Sequence, residues 1–169
     1  MTDPPKPGAA IALMGPQLRA LRDVWRDVRT SDTVAESDIR RWAIAVYWPD
    51  TPPRLYWDVE YASTTTWGGI VAPPDFNPFA WPARRPPSTD GVRNDPTAER
   101  GSRSMNAGQV EEYFAPIRPG DRITSRTCLR GWRETTTRLG PSLFLVTEIE
   151  WTNARAELVK RRTSTSVRY

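Results

Sequence analysis

The sequence predicts an α+β fold, with helices in the first half and an antiparallel sheet in the second. Two patterns and one break carry this reading. Residues 17–29 and 36–46 each repeat apolar side chains at three- and four-residue spacing, the period of an amphipathic helix. Residues 105–169 change to alternation, the period of a half-buried strand. Between them, residues 82–104 (PARRPPSTDGVRNDPTAERGSRS) have no apolar period and form a long loop. Runs of helix followed by runs of strand are the α+β signature. No internal repeat is visible.

In chain order, residues 1–15 are rich in Pro, Gly and Ala and read as a flexible tail before a single domain over 16–169. Leu18, Leu21, Val24, Trp25 and Val28 predict a short helix over residues 17–29. Ile39, Trp42, Ala43 and Val46 predict a second over residues 36–46, with Asp38 near the positive end of its dipole. The prolines of Trp48-Pro49-Asp50-Thr51-Pro52-Pro53-Arg54 must end it. Residues 55–62 read as a short helical or irregular piece. Gly68-Gly69 permits a tight turn, and Pro73-Pro74 is placed to open a helix over residues 75–81.

Strands are predicted over 105–114, 122–132, 142–151 and 158–169, with a turn at Arg118-Pro119-Gly120-Asp121. In the third of these, Leu143, Leu145, Thr147, Ile149 and Trp151 share one face. Phe144, Val146, Glu148 and Glu150 share the other.

Composition narrows the function. The chain has 169 residues, eight Trp, 24 Lys plus Arg against 20 Asp plus Glu, and a net charge of +4. Aromatic content of this kind belongs to a folded domain. The basic residues are scattered, with short clusters at Arg84-Arg85 and Lys160-Arg161-Arg162, and no dense stripe suits a nucleic acid. Cys128 is the sole cysteine and reads as a small buried apolar residue, so no intramolecular disulfide and no cysteine metal site is expected. Histidine is absent, which removes the other usual zinc ligand. No apolar run reaches the length of a membrane span, and no signal peptide is recognisable, so the expected location is cytoplasmic.

Three stretches together resemble the MaoC-like dehydratases, in their FAS1-like, hot-dog form. They are Ile39–Ala43 with the loop leading to Leu55–Ala62, then Trp67–Phe76, then Asn106–Gln109 with Tyr113–Asp121. The resemblance spans roughly residues 34–169. It implies an antiparallel sheet wrapped around a helix. It also implies action on an acyl thioester carried by coenzyme A or an acyl carrier protein, with no other cofactor and no metal. In catalytic members, a Gly-Asp-x-Asn-Pro-x-His signature supplies a carboxylate and an imidazole that share one water. An imidazole titrates near neutral pH, which suits proton transfer.

Here Asp50 lies where the family aspartate would be, and Tyr56 where the histidine would be. Tyrosine, with an ordinary pKa near ~10, is a poor base at neutral pH. The departure thus falls on the chemistry, as in the histidine-free subunits of heteromeric actinobacterial steroid enoyl-CoA hydratases. The resemblance implies an acyl-binding subunit, with a second hot-dog subunit supplying Asp and His.

The same resemblance places substrate-binding residues at Trp48, Trp67, Gly68, Gly69, Ile70, Asp75, Phe76, Asn77, Phe79 and Trp81, with Tyr56 and Trp57 in the aromatic wall. Arg84, Arg85 and Arg118 would meet coenzyme A phosphates, because guanidinium matches phosphate geometry. Ordinary core packing or surface solvation would also account for each of these residues. Two alternatives stand beside this reading. One is a stand-alone dehydratase or cyclase of natural-product biosynthesis using Asp50 and Tyr56. The other is a non-enzymatic ligand-binding protein.

Overall fold

A computed structural model of the chain describes residues 13–80 and 103–169. The elements run α1 (Pro16–Arg19), β1 (Trp25–Thr30), α2 (Glu36–Tyr47), a 3-10 turn (Arg54–Tyr56), α3 (Val59–Ser63), β2 (Ser104–Tyr113), β3 (Thr124–Thr137), β4 (Gly140–Thr152) and β5 (Leu158–Arg168). The strands form one antiparallel sheet in the order β1-β3-β4-β5-β2.

The predicted helix over 17–29 is replaced by a four-residue α1 and the strand β1. Asp23 and Asp27 sit at φ 57° and 54°, left-handed conformations that a continuing helix does not allow. β1 gains its backbone partners from β3, with Trp25 opposite Cys128 and Thr30 opposite Thr124. That distant pairing overrides the local helical period. Leu18 and Leu21 instead pack with Leu13, Met14, Leu129, Leu143, Leu145 and Trp132 in a core at one end of the sheet. Residues 1–12 of the expected tail lie outside the described residues, while Leu13 and Met14 are buried.

Helix α2 forms as its period predicts and turns Ile39 and Ala43 into the core. Its start is tied to the predicted turn. Val34 N–H donates to the Asp121 carbonyl and Gly120 N–H to the Val34 carbonyl, at 2.9 Å each. Gly120 takes φ 87°, and the Asp121 carboxylate accepts from Arg118 N–H at 2.7 Å. The main core joins Ile39 with Val34, Ala62, Ile70, Ala72, Phe76, Ile117, Ile123, Trp151 and Val159.

The helix expected over 75–81 does not form in residues 75–80, and Trp81 lies outside the described residues. Pro78 lacks an N–H and disfavours helical backbone at Asn77. The Asn77 side chain instead accepts from Phe79 N–H at 3.0 Å, closing a turn. Of the long loop expected over 82–104, residues 82–102 lie outside the described residues and Ser104 begins β2.

Strand β4 alternates as read. Leu143 and Leu145 are fully buried and Trp151 nearly so, while Glu148 and Glu150 face the other way into ion pairs with Arg130, Arg126 and Arg161. Cys128 is buried as expected, and that burial pushes its thiol pKa up.

Candidate functional site: an apolar cavity with a charged wall

A cavity of about 160 Å³ opens beside the main core. Four pieces of chain build it: Leu55 and Tyr56 of the 3-10 turn, Trp67 with Val71–Pro74, Tyr113 at the end of β2 with Phe114–Ile117 after it, and Val159-Lys160 of β5. The second and third pieces are joined by a 2.8 Å hydrogen bond from Ala72 N–H to the Ile117 carbonyl. The third and fourth are joined through Phe114 N–H to Val159 and Ala115 N–H to Leu158. Most of the lining is aliphatic, aromatic or proline, as expected for a site that holds an apolar ligand.

The polar wall lies where β2, β5 and β4 align Tyr113, Lys160 and Trp151 across the sheet. Lys160 is 4 % exposed. Its ammonium lies 2.8 Å from Glu111 Oε2, 5.2 Å from the centre of the Tyr113 ring and 4.9 Å from that of Trp151. Arg162 Nε reaches the other Glu111 oxygen at 2.5 Å. The Tyr113 hydroxyl lies 2.6 Å from Glu111 and 2.7 Å from Asp75.

Burial by itself would raise the Glu111 pKa. Hydrogen bonds from Lys160, Tyr113 and Arg162 outweigh it and hold the carboxyl at about 2. Burial, and then the two carboxylates, push the Tyr113 hydroxyl well above the usual tyrosine range. Burial and the Tyr47 hydroxyl raise Tyr56 to about 12. Both tyrosines lining the cavity therefore stay protonated at neutral pH and act as hydrogen-bonding groups rather than bases.

The sequence-derived residues distribute unevenly. Tyr56 and Trp67 line the cavity. Asp50 is exposed at the turn after α2 and outside that lining, and its N–H donates to the Tyr47 carbonyl at 2.8 Å. Trp48 is exposed, and Trp57 Nε1 donates to the Pro52 carbonyl. Gly68, at φ 65°, makes the turn that follows Trp67, with Gly69 next to it. Ile70 and Phe76 are core residues, Phe76 packing edge-on against Trp42 at 5.7 Å. Phe79 packs against Trp151 and under Arg29. Asp75 touches the charged wall through Tyr113, while Asn77 holds its turn. Arg118 belongs to the turn at the start of α2, and Arg84 and Arg85 lie outside the described residues.

Sequence reasoning missed Glu111, Tyr113 and Lys160. The available signal was Lys160 itself, one of two lysines in a chain whose other cations are arginine. Among the described residues no cluster of three or more His, Cys, Asp and Glu could hold a metal ion, and no helix is long and apolar enough to cross a membrane.

The fold recurs in solved structures. The ChsH1-ChsH2 complex from Mycobacterium tuberculosis matches with TM-score 0.70 and 20 % identity, over 90 % of this chain and 87 % of that one. The HadBC 3R-hydroxyacyl-ACP dehydratase complex from Mycobacterium tuberculosis matches with TM-score 0.58 and 21 % identity, over 87 % and 96 %. A MaoC-like dehydratase from Rhodospirillum rubrum matches with TM-score 0.55 and 20 % identity, over 85 % and 90 %. None of the curated proteins matches by sequence. The family described as FAS1-like, dehydratase domain region, matches residues 25–162. The chain therefore belongs to the FAS1-like dehydratase domain region family, and it shares the hot-dog fold of the MaoC-like dehydratase among these neighbours.

Proposed function

We propose that this chain is the acyl-binding, histidine-free subunit of a heteromeric hydro-lyase acting on acyl thioesters, as an enoyl-CoA hydratase or 3-hydroxyacyl-CoA dehydratase does. A partner hot-dog subunit supplies the Asp/His pair. The observation that carries this reading is the cavity. It is apolar, its tyrosines are held protonated, and the Glu111 behind its Tyr113 and Lys160 is locked in ion pairs, so it is built to bind rather than to move protons. At about 160 Å³ it is also smaller than the roughly 300–1,000 Å³ that encloses a whole ligand, which suits a site completed by a second chain.

Strand β2 supports a partner along the sheet edge. Among the described residues it ends the sheet, runs for ten residues, and exposes Met105 and Val110. A long strand edge with apolar side chains is a pairing surface. Two of the structural neighbours are themselves complexes of two named components.

The test is a hydration assay with crotonyl-CoA and longer enoyl-CoA thioesters on this chain alone, on a candidate histidine-bearing hot-dog partner alone, and on the co-expressed pair. Activity in the pair only is the expected result. Robust turnover by the lone chain would overturn it and favour the stand-alone reading, which Tyr56 keeps alive by lining the cavity. In that case Asp50→Asn must abolish the turnover for Asp50 to be its carboxylate.

A further inference from the structure

Among the described residues, the buried cation of the cavity's charged wall, Lys160, has hydrogen-bonding capacity to spare. An ammonium carries three N–H donors. Among the described residues, one at Lys160 faces Glu111 and the ammonium lies over the π faces of Tyr113 and Trp151. Burying an ammonium is costly, and ring faces replace lost water only in part. Lys160 also stands out chemically. Nearly every other cation in the chain is arginine, whose rigid fork suits carboxylates, whereas lysine presents a compact point donor.

The wall is balanced in charge. Lys160 and Arg162 both pair with Glu111, and the Tyr113 hydroxyl links Glu111 to Asp75. Among the described residues the wall's two cations, Lys160 and Arg162, are already paired with Glu111, and an added carboxylate would be repelled by those two acidic groups. A neutral oxygen would not. The single Tyr113 proton can serve Glu111 or Asp75 at one time, so the pair of carboxylates also leaves acceptor capacity for a ligand hydroxyl.

We propose that the Lys160 ammonium, framed by Tyr113, Glu111 and Trp151, is a polar anchor for an uncharged oxygen, a ketone or hydroxyl, carried on the apolar part of the ligand. This deepens the acyl-binding reading and rests on it. It makes the preferred acyl group one whose hydrocarbon body bears a neutral oxygen rather than a second acid.

The test uses three matched bicyclic probes, 2-decalone, 2-decalol and decalin-2-carboxylate, titrated by calorimetry into the co-expressed pair of this chain and its histidine-bearing hot-dog partner. The ketone and alcohol are expected to bind at least about tenfold more tightly than the carboxylate, the scale of one hydrogen bond to a charged group. Lys160→Met should remove that preference.

A second measurement needs no variant. In the chain labelled with ¹³C,¹⁵N-lysine only Lys6 and Lys160 report. 2-Decalone should shift the Lys160 side-chain signals and leave those of Lys6 in place. Tighter binding of the carboxylate, or ketone binding that leaves Lys160 unmoved, overturns the anchor while the acyl-binding reading stands. Failure of all three probes to bind overturns both.

Discussion

Replacing Glu111 with glutamine removes the charge that holds Lys160 and Arg162 while keeping the shape of the side chain. The size of the effect follows from the carboxyl's pKa. Its ordinary value of 4.5 falls to about 2 in the folded chain, and its side chain is 14 % exposed. That gap corresponds to roughly 3 kcal/mol of folding free energy. A depressed folded-state pKa contributes stability above the unfolded value, and that stability is lost as pH falls through the folded value. Wild type should thus keep the full contribution at pH 7 and lose it progressively from about pH 4.5 down through about pH 2.

Glu111→Gln lacks the contribution at every pH. Urea melts at fixed protein concentration should show the variant about 3 kcal/mol less stable at pH 7, a fall in Tm of roughly 6–12 °C for a chain of this size. At pH 2 the two should differ by less than about 1 kcal/mol, because a protonated Glu111 resembles the glutamine. A deficit that stays constant from pH 7 to pH 2, or one under about 1 kcal/mol at pH 7, would refute the argument that Lys160, Tyr113 and Arg162 outweigh the cost of burying this carboxylate.

Three further outcomes are expected. Phe76→Ala empties a site in the main core and should cost about 3–5 kcal/mol by chemical denaturation, since Phe76 is 1 % exposed and packs against Trp42. Val110→Lys on the exposed edge of β2 should leave the lone chain within about 0.5 kcal/mol of wild type while weakening association with a hot-dog partner in size-exclusion chromatography; unchanged association would argue for another interface. Cys128 should react with a thiol reagent only as fast as the chain unfolds, because it is fully buried and its thiol is pushed up in pKa; rapid labelling in native buffer would contradict that burial.

Elements whose burial pattern is local were legible in the sequence. Alternation along Leu143, Leu145 and Trp151 reports one strand facing one core, and the spacing of Ile39 and Ala43 reports one helix face. The turn at Arg118–Asp121 was legible because Pro, Gly and Asp each favour its geometry for their own chemical reason. The absence of histidine removed the family's imidazole whatever the fold.

Features that depend on distant partners emerge only in the folded chain. Leu18, Leu21 and Trp25 fit a helix by spacing, yet Trp25 joins a sheet because its backbone finds Cys128 more than one hundred residues away. Lys160 sits in a run of three basic residues that reads as solvated surface. It is buried because the register between β4 and β5 sets it opposite Trp151, and that between β5 and β2 opposite Tyr113. A register shift between Trp151 and Thr152 also brings Val159 and Lys160 together on the cavity wall, against simple alternation. Alternation places a residue on one face of a strand. Which strand lies beside it, and at which register, is fixed by pairing free energy summed over the whole sheet, and that sum is not written in any one segment.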